Sequence, residues 1–284
     1  MKALITGVTG YIGGRLGEIL DHQGHKVYGM SRVPFSANHQ VKQVVGNLAH
    51  PESLIGVTKG MDVVFHLGGG MRPSDGDLHA VNVEGTKQLI KDAIDSDVKR
   101  FIFMSAAAVY GDVAHPPAKE KDLCTPLDGH LYAVSKWDAE KELLERADQG
   151  TTVTILRPSQ VYSAGSPAIM RLPKLASMVE GKNKTHFVHR DDVCNAAIFL
   201  ANHPQAYGIY NIADHQPLSL VEAAKVLKEN HDDGKELNAS EEKTTIPPML
   251  RKIIEATLVL DTTRIRDLGF KIQYPSLKEG ILQK

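Results

Sequence analysis

A glycine-rich loop near the start of the chain restricts the fold more than any other feature of the sequence. The loop, Thr6–Gly14, follows a short apolar segment and opens a helix-like segment. Its glycines would allow a tight turn and the close approach of an anion to the backbone at a helix N-terminus. The order strand, glycine loop, helix therefore predicts a phosphate-binding turn. The candidate binding residues in this loop are Gly7, Thr9, Gly10, Tyr11, Ile12 and Gly13.

Short runs rich in β-branched and aromatic residues alternate with amphipathic segments through the first two thirds of the chain. The expected strands are 3–6, 26–30, 41–45, 63–67, 100–104 and 152–156, and the longer helices are 12–22, 83–94 and 132–147. This alternation predicts an α/β fold, a doubly wound parallel Rossmann sheet with a small C-terminal substrate-binding lobe. We place the Rossmann domain at 1–165, completed by about 185–213, and the lobe at 166–184 and 214–284.

Composition excludes several classes of partner. The 284 residues include 33 basic and 34 acidic side chains without a block of one sign, so we expect a small-molecule substrate, no nucleic acid and no membrane. No run of 18 apolar residues occurs, and the apolar run at the N-terminus is too short for a signal peptide. The two cysteines and 13 histidines are scattered, which predicts no disulfide, no metal site and a cytoplasmic location.

Tyr132 and Lys136 are four residues apart in a helix-like segment, so the phenol and the ammonium group share one helix face. A free tyrosine ionises at about pH 10, and a nearby positive charge lowers the pKa of the phenol. We interpret the pair as a proton-transferring site, with Tyr132 as acid or base. The spacing alone is common in helices, and the glycine loop is what favours this interpretation over a solvated lysine beside a half-buried ring.

Ser31 and Arg32 stand at the end of the second expected strand, where an acidic residue would hold the adenosine ribose of NAD. A hydroxyl and a guanidinium suit a 2′-phosphate instead. We therefore expect NADP in preference to NAD. The alternative is that Arg32 stacks on the adenine or faces solvent.

With these residues, the chain resembles the extended short-chain dehydrogenase/reductases, which include nucleotide-sugar epimerases and dehydratases and 3β-hydroxysteroid dehydrogenases. Besides the glycine loop and the Tyr132/Lys136 pair, the matching stretches are 65–69, 82–86, 105–111, 156–158 with 161–162, and 187–193. The resemblance implies that Tyr132 and Lys136 also contact the cofactor, and it implies further cofactor contacts elsewhere in the chain. These contacts are Asn47 and Leu48 at the adenine, Leu67, Gly68, Gly69 and Asn82 along the cofactor, and Pro158 and Val161 near the nicotinamide.

The resemblance implies an NAD(P)-dependent oxidoreductase or epimerase/dehydratase that acts on a secondary alcohol or ketone, with a sugar or sugar nucleotide as the first substrate guess. Tyr132 would move the proton while a hydride passes between substrate and nicotinamide, and Lys136 would bind the nicotinamide ribose. The family's usual serine or threonine is replaced by Ala106. Ser105 could substitute for it as a catalytic residue if the strand has already ended there. The alternative is a non-catalytic, NADP-sensing regulatory or binding protein, which Ala106 would suit.

The substrate lobe is shorter than in nucleotide-sugar enzymes, since only 24 residues separate Tyr162 from Phe187. We therefore expect a smaller or more apolar substrate, without excluding a sugar nucleotide. Segment 170–178 is interpreted as packing, Arg157 as structural and His66 as a core histidine. The relatives also imply a homodimer formed through helices 83–94 and 132–147.

Overall fold

Strands and helices alternate along most of the chain in the computed structural model, which describes residues 1–37, 40–147, 149–179, 181–230 and 246–282. The strands are β1 Lys2–Thr6, β2 Lys26–Ser31, β3 Lys42–Val45, β4 Val63–His66, β5 Arg100–Met104, β6 Thr152–Pro158, β7 Gln160–Tyr162, β8 Lys184–Thr185, β9 Phe187–His189, β10 Gly208–Ile212 and β11 Leu218–Ser219. The α-helices are α1 Tyr11–His22, α2 Gly85–Asp95, α3 Leu131–Leu144, α4 Pro167–Met170, α5 Leu172–Ala176, α6 Arg190–Asn202, α7 Leu220–Asn230, α8 Pro248–Glu255, α9 Thr263–Asp267 and α10 Leu277–Ile281. A π-helical turn, Ala80–Glu84, leads into α2, and a 3₁₀ turn, Ala107–Tyr110, follows β5.

Seven strands form one sheet in the order β10-β6-β5-β4-β1-β2-β3. Neighbouring strands from β3 across to β6 run parallel. β4 is buried along its whole length, as expected for a strand covered by helices on both faces. The strand order reverses between β1 and β4, which is where parallel sheets of this kind bind ligands beyond the carboxyl ends of their strands. The predicted fold class is thus confirmed.

The chain divides into two units. The first contains residues 1–106, 131–157 and 194–210, and the second contains 107–130, 158–193 and 211–284. This division differs from the sequence-based one, which kept 107–130 and 158–165 in the Rossmann domain. Segment 107–130 belongs with later parts of the chain because Ala118 N donates to Val259 O at 2.8 Å and Tyr110 Oη donates to Asn211 Oδ1 at 2.8 Å.

Each unit has its own apolar core. In the first, Leu4, Val64, Phe101 and Ile155 of the sheet pack with Leu89 of α2. In the second, the buried cluster includes side chains of α5, α7, β7 and β9. None of the described helices has the length and apolar character needed to cross a membrane.

Candidate active site

The glycine loop has the conformation that its sequence predicts. Gly7 has a φ of +69°, and a Cβ added to it would lie 2.8 Å from Gly68 N, so a larger residue would be both strained and blocked. Gly13 packs against the carbonyl of Gly7, which brings α1 close to β1. Gly10 is the N-cap of α1 and provides no side-chain cap, while Thr9, Gly10 and Tyr11 are exposed. The first turn of α1 is therefore accessible to an anion such as a pyrophosphate.

The end of β2 carries an exposed guanidinium. Ser31 is half-buried and its Oγ donates to Val33 O at 2.5 Å, whereas Arg32 is exposed. Backbone hydrogen bonds from Met71 and Arg72 lower the pKa of Asp75, and the positive charges of Arg72 and Arg32 lower it further. The charge of Arg32 therefore acts on the carboxyl group of Asp75, while the guanidinium of Arg32 stays in contact with solvent.

The loop after β4, residues 67–70, lies against the glycine loop of residues 7–13. We call the space lined by these two loops the glycine cradle. Gly68 N donates to Thr6 Oγ1 at 2.9 Å, and a Cβ on Gly69 would lie 2.7 Å from Asn82 Oδ1. The Asn82 amide accepts from Gly70 N at 2.7 Å and donates to Gly70 O at 2.9 Å, so it fixes the loop. Leu67, half-buried, precedes these glycines. The structure thus brings the segment Leu67–Gly69 and Asn82 together in the first unit.

Asn47 and Leu48 lie after β3. Leu48 is 9% exposed, and it packs so closely on Gly68 that a Cβ there would lie 3.1 Å from Leu48 Cδ1. Asn47 Oδ1 accepts from Ala49 N at 3.1 Å, so this side chain shapes its own turn. Leu48 joins the glycine cradle, and the half-buried Asn47 stands beside it in sequence.

His66 is a core histidine, as the sequence interpretation held. Its Nδ1 is 2.7 Å from Thr6 Oγ1 and its Nε2 is 2.8 Å from Thr86 Oγ1. Burial, with a smaller contribution from the charge of Lys136, lowers the pKa of His66 to about 3. Thr86 Oγ1 also donates to Asn82 O at 2.6 Å. A neutral His66 therefore ties β1 and β4 to the helix that carries Asn82.

Lys136 is buried in α3 and lies in the cradle. Its Nζ donates to Met104 O at 2.9 Å, sits 4.6 Å from the Phe103 ring centroid, and would be 3.5 Å from a Cβ on Gly69. Burial lowers the pKa of Lys136 to about 8, and the charge of Glu140 opposes that shift. Lys136 is consequently a cation at neutral pH that titrates in the alkaline range.

Tyr132 lies one helical turn before Lys136, and the pKa of its phenol shifts in the direction opposite to the expected one. Burial raises the pKa of its phenol to about 12, whereas the sequence interpretation had Lys136 lowering it. The physical reason is that desolvation disfavours the phenolate while the Lys136 ammonium is directed to the Met104 carbonyl. Within the protein alone, Tyr132 is therefore a protonated acid at neutral pH.

Ser105 is past the end of β5, as its proposed catalytic use required, but its hydroxyl is committed elsewhere. Ser105 is 2% exposed and its Oγ donates to Glu140 Oε1. Glu140 also receives the guanidinium of Arg157, whose Nε lies 3.1 Å from both carboxylate oxygens. This arrangement argues against Ser105 as the donor to a substrate oxygen. Ala106, the next residue, has no polar side chain to replace it.

Glu140 was not singled out from the sequence. It is fully buried on the same helix as Lys136, four residues later, and it joins the ends of β5 and β6 through Ser105 and Arg157. Its position, i+4 from Lys136, was the available signal, because that spacing places both on the buried face of α3. Arg157 is structural, as the sequence suggested.

The second unit contains an apolar cavity of about 260 Å³. Pro158 and Val161 both belong to this unit; Val161 lines the cavity, and Pro158 is buried at the end of β6. Segment 170–178 contributes more than packing, since Leu172 and Leu175 also face the cavity. Other apolar lining residues are Leu127, Tyr162, Ile169, Phe187, Leu220, Leu250, Ile253 and Ile254, and the polar ones are His130, Gln160, Arg171, Asn183 and Thr185.

A model of the NAD dependent epimerase/dehydratase family matches residues 3–213. A 4-hydroxy-2-methyl-3-oxo-4-farnesyl-3,4-dihydroquinoline-1-oxide ketoreductase from Stigmatella aurantiaca is 27% identical over 238 residues, covering 78% of this chain and 70% of the relative. A 3-beta-hydroxysteroid dehydrogenase from Mycolicibacterium neoaurum is 28% identical over 252 residues, covering 79% and 68%. The solved structure of MoeE5 in complex with UDP-glucuronic acid and NAD is 25% identical, with a TM-score of 0.78 and coverage of 99% and 96%.

Proposed function

Because this chain belongs to the NAD dependent epimerase/dehydratase family, we propose that it is an NADP-dependent oxidoreductase that reduces a ketone carried on an apolar body, or oxidises the corresponding alcohol. Membership confirms the resemblance drawn from the glycine loop and the Tyr132/Lys136 pair. The relatives are NAD-dependent epimerases, dehydratases and reductases, so the protein is an enzyme, and a non-catalytic sensor is not favoured.

The apolar cavity of the second unit is the observation that carries the choice of substrate. Three of its walls are aliphatic: Ile169, Leu172 and Leu175 of the α4–α5 segment, Leu250, Ile253 and Ile254 of α8, and Val161 of β7. No carboxylate lies among its described lining residues. A sugar nucleotide presents many hydroxyl groups, and those that face the aliphatic walls rather than the five polar lining residues would lose hydrogen bonds to water. Two relatives act on a ketone with a farnesyl group and on a steroid, by their names, which supports an apolar substrate.

The glycine cradle of the first unit fits a dinucleotide. A side chain at Gly7 or Gly69 would collide with the neighbouring loop or with Asn82, so these glycines allow the close packing of the loops. The exposed, uncapped first turn of α1 offers the place for the phosphates of the ligand. When bound, the nicotinamide supplies or accepts the hydride. The family model and the structure of MoeE5 name NAD. Exposed Arg32 at the end of β2 is what supports our proposal that the 2′-phosphate of NADP is bound there.

Tyr132 and Lys136 would handle the proton. With a phenol pKa of about 12, Tyr132 holds its proton at neutral pH and can donate it to an oxygen that becomes negative as a carbonyl is reduced. Lys136, cationic below a pKa of about 8, would stabilise the ribose and the developing charge. These features favour the direction of ketone reduction.

Turnover distinguishes this proposal from its rivals. NADPH consumption should be measured with neutral apolar ketones and with UDP-sugars. We expect net consumption with the ketones, lost by more than about a hundredfold in Tyr132→Phe and unchanged in Tyr207→Phe, a control at a tyrosine that is 66% exposed. Conversion of a UDP-sugar without net NADPH consumption would instead support an epimerase and refute the apolar-ketone proposal.

Cofactor choice has a separate test. Calorimetric titration of the wild type should give tighter binding of NADPH than of NADH. Arg32→Ala should weaken NADPH binding by roughly tenfold and change NADH binding little, since a charge-assisted contact contributes about 1.5–3 kcal/mol. Arg72→Ala is the matched control because it removes a second guanidinium near Asp75. Equal effects of the two variants on NADPH would indicate diffuse attraction rather than a 2′-phosphate site.

We also propose that the protein forms a homodimer through α2 and α3, as the sequence implied. Leu131, Val134 and Leu144 of α3 are exposed. Lys87 of α2 forms an ion pair with Glu142 of α3 at 3.6 Å. Because that ion pair lies within one chain, the exposed aliphatic side chains would supply the pairing surface, and we expect an assembly that changes little with salt. Light scattering at low and high ionic strength tests it, and a monomer under both conditions would refute it.

A further inference from the structure

Arg171 has an unusual position in the apolar cavity. It connects α4 to α5, between Ile169 and Leu172, which both face the cavity. Its own side chain lines the cavity and is exposed. Among the described lining residues it is the one Arg or Lys, and none is Asp or Glu. The single ionic group at this apolar wall is therefore positive.

No described carboxylate forms an ion pair with Arg171. Glu255 of α8 pairs with Arg251 at 3.1 Å, and Glu222 of α7 pairs with Lys184 at 3.8 Å. His130 in the cavity wall does not add positive charge, because burial lowers its pKa below the ordinary value. The carboxylates of α7 and α8 are thus paired with lysine or arginine side chains other than Arg171.

We propose that Arg171 binds a carboxylate of the substrate, so that the preferred substrates are oxo acids or hydroxy acids with an apolar chain. This inference rests on the proposed function. The planar guanidinium offers parallel N–H donors that match the two oxygens of a carboxylate. The chain of such an acid would lie along the aliphatic walls formed by α5 and α8.

The charge count favours a carboxylate over a diphosphate. A carboxylate carries one negative charge, which one guanidinium balances. A nucleoside diphosphate carries at least two and would leave charge unbalanced beside Leu172 and Ile253, where desolvating it is unfavourable. The same cavity would also have to provide hydrogen-bond partners for the ribose hydroxyl groups.

Paired ligands isolate the role of Arg171. Binding of decanoate and of methyl decanoate to the NADPH-loaded enzyme is measured by calorimetric titration, with UDP as a third ligand. Turnover is measured with medium-chain oxo acids, each beside its methyl ester. The variants are Arg171→Ala, Arg171→Lys, and Lys174→Ala as a control that removes a cation one turn later in α5, outside the cavity lining.

We expect Arg171→Ala to raise the Kd of decanoate and the KM of the oxo acids by at least about fivefold, a modest factor because the guanidinium is exposed. Arg171→Lys should lie between, and the esters and Lys174→Ala should change less than twofold. Equal losses for acids and esters in Arg171→Ala would overturn the inference, as would UDP binding that is tighter than decanoate and dependent on Arg171. If decanoate binding depends on Arg171 while no ketone is reduced, the anion site stands and the proposed reaction fails.

Discussion

The buried ion pair between Glu140 and Arg157 should be the most sensitive position in the first unit. Glu140 is 0% and Arg157 1% exposed, and their closest contact, Nη2 to Oε2, is 2.5 Å. Glu140→Gln removes the negative charge and leaves the guanidinium buried without compensation. Breaking such a pair typically destabilises a protein by about 3–5 kcal/mol. For a chain of this length that corresponds to a loss of about 6–10 °C in Tm.

Urea unfolding followed by circular dichroism measures this effect, and two matched variants separate the loss of a buried ion pair from the loss of an exposed one. Glu142→Gln, on the same helix, breaks a partly exposed pair with Arg146 at 2.7 Å and should change the unfolding free energy by less than about 1 kcal/mol. The double variant Glu140→Leu/Arg157→Met replaces both charges by apolar groups and should recover most of the loss. A loss below about 1 kcal/mol in Glu140→Gln, or a double variant no better than the single one, would refute the argument.

The same experiment decides the role of Ser105. A hydroxyl that serves Glu140 predicts that Ser105→Ala lowers the unfolding free energy by about 1–3 kcal/mol, since it removes a hydrogen bond to a buried carboxylate. The activity of the folded fraction should then change little. A catalytic hydroxyl predicts the reverse, with kcat lost and stability kept.

Three further outcomes follow from buried or absent groups. When the pH falls from 7.5 to 5, wild-type stability should fall by about 2 kcal/mol more than that of His66→Gln. The reason is that the wild-type imidazole, with its pKa lowered from 6.5 to about 3, stays neutral in the folded state while the unfolded state binds a proton. Urea unfolding at both pH values measures this difference. Asp214→Asn should stabilise the protein increasingly as pH rises toward 8. Burial raises the pKa of this carboxyl from 3.8 to about 8, and its Oδ2 has no hydrogen-bond partner, so between these pH values the folded wild type keeps a proton that the unfolded state releases and its stability falls; Tm values at pH 6 and 8.5 test this. Ala106→Ser should raise kcat at least about tenfold if the site lacks a donor to the substrate oxygen, and unchanged steady-state rates would mean that another group already provides it.

The fold could be predicted because its signals are local. β1, the glycine loop and α1 are consecutive, and their conformations depend on residues within the same 22 positions. The strand segments predicted from apolar runs all occur in the parallel sheet, with ends that differ by at most two residues. The division into units was less predictable, because segment 107–130 is assigned by partners such as Asn211 and Val259 that are far along the chain.

The site was predictable in its members and not in their electrostatics. Spacing places Tyr132 and Lys136 on one face of α3, but it does not show that the Met104 carbonyl receives the ammonium group. Nor does spacing show that Glu140 occupies the hydroxyl of Ser105. The apolar face of α8 could have been found from Leu250, with Ile253 and Ile254 three and four positions later, yet its orientation toward a cavity depends on tertiary packing.

Burial moves Tyr132 and Lys136 in opposite directions on the pH scale, and the result bears on the direction of catalysis. Desolvation favours the neutral form of each group, so it raises the pKa of the phenol to about 12 and lowers that of the ammonium group to about 8. Below about pH 8 the pair consists of a protonated phenol and a cation, which is the combination that an oxygen gaining negative charge requires. A phenolate base would have to form against the same desolvation. The environment of α3 therefore makes proton donation the easier task for Tyr132, which is the role that the proposed ketone reduction gives it.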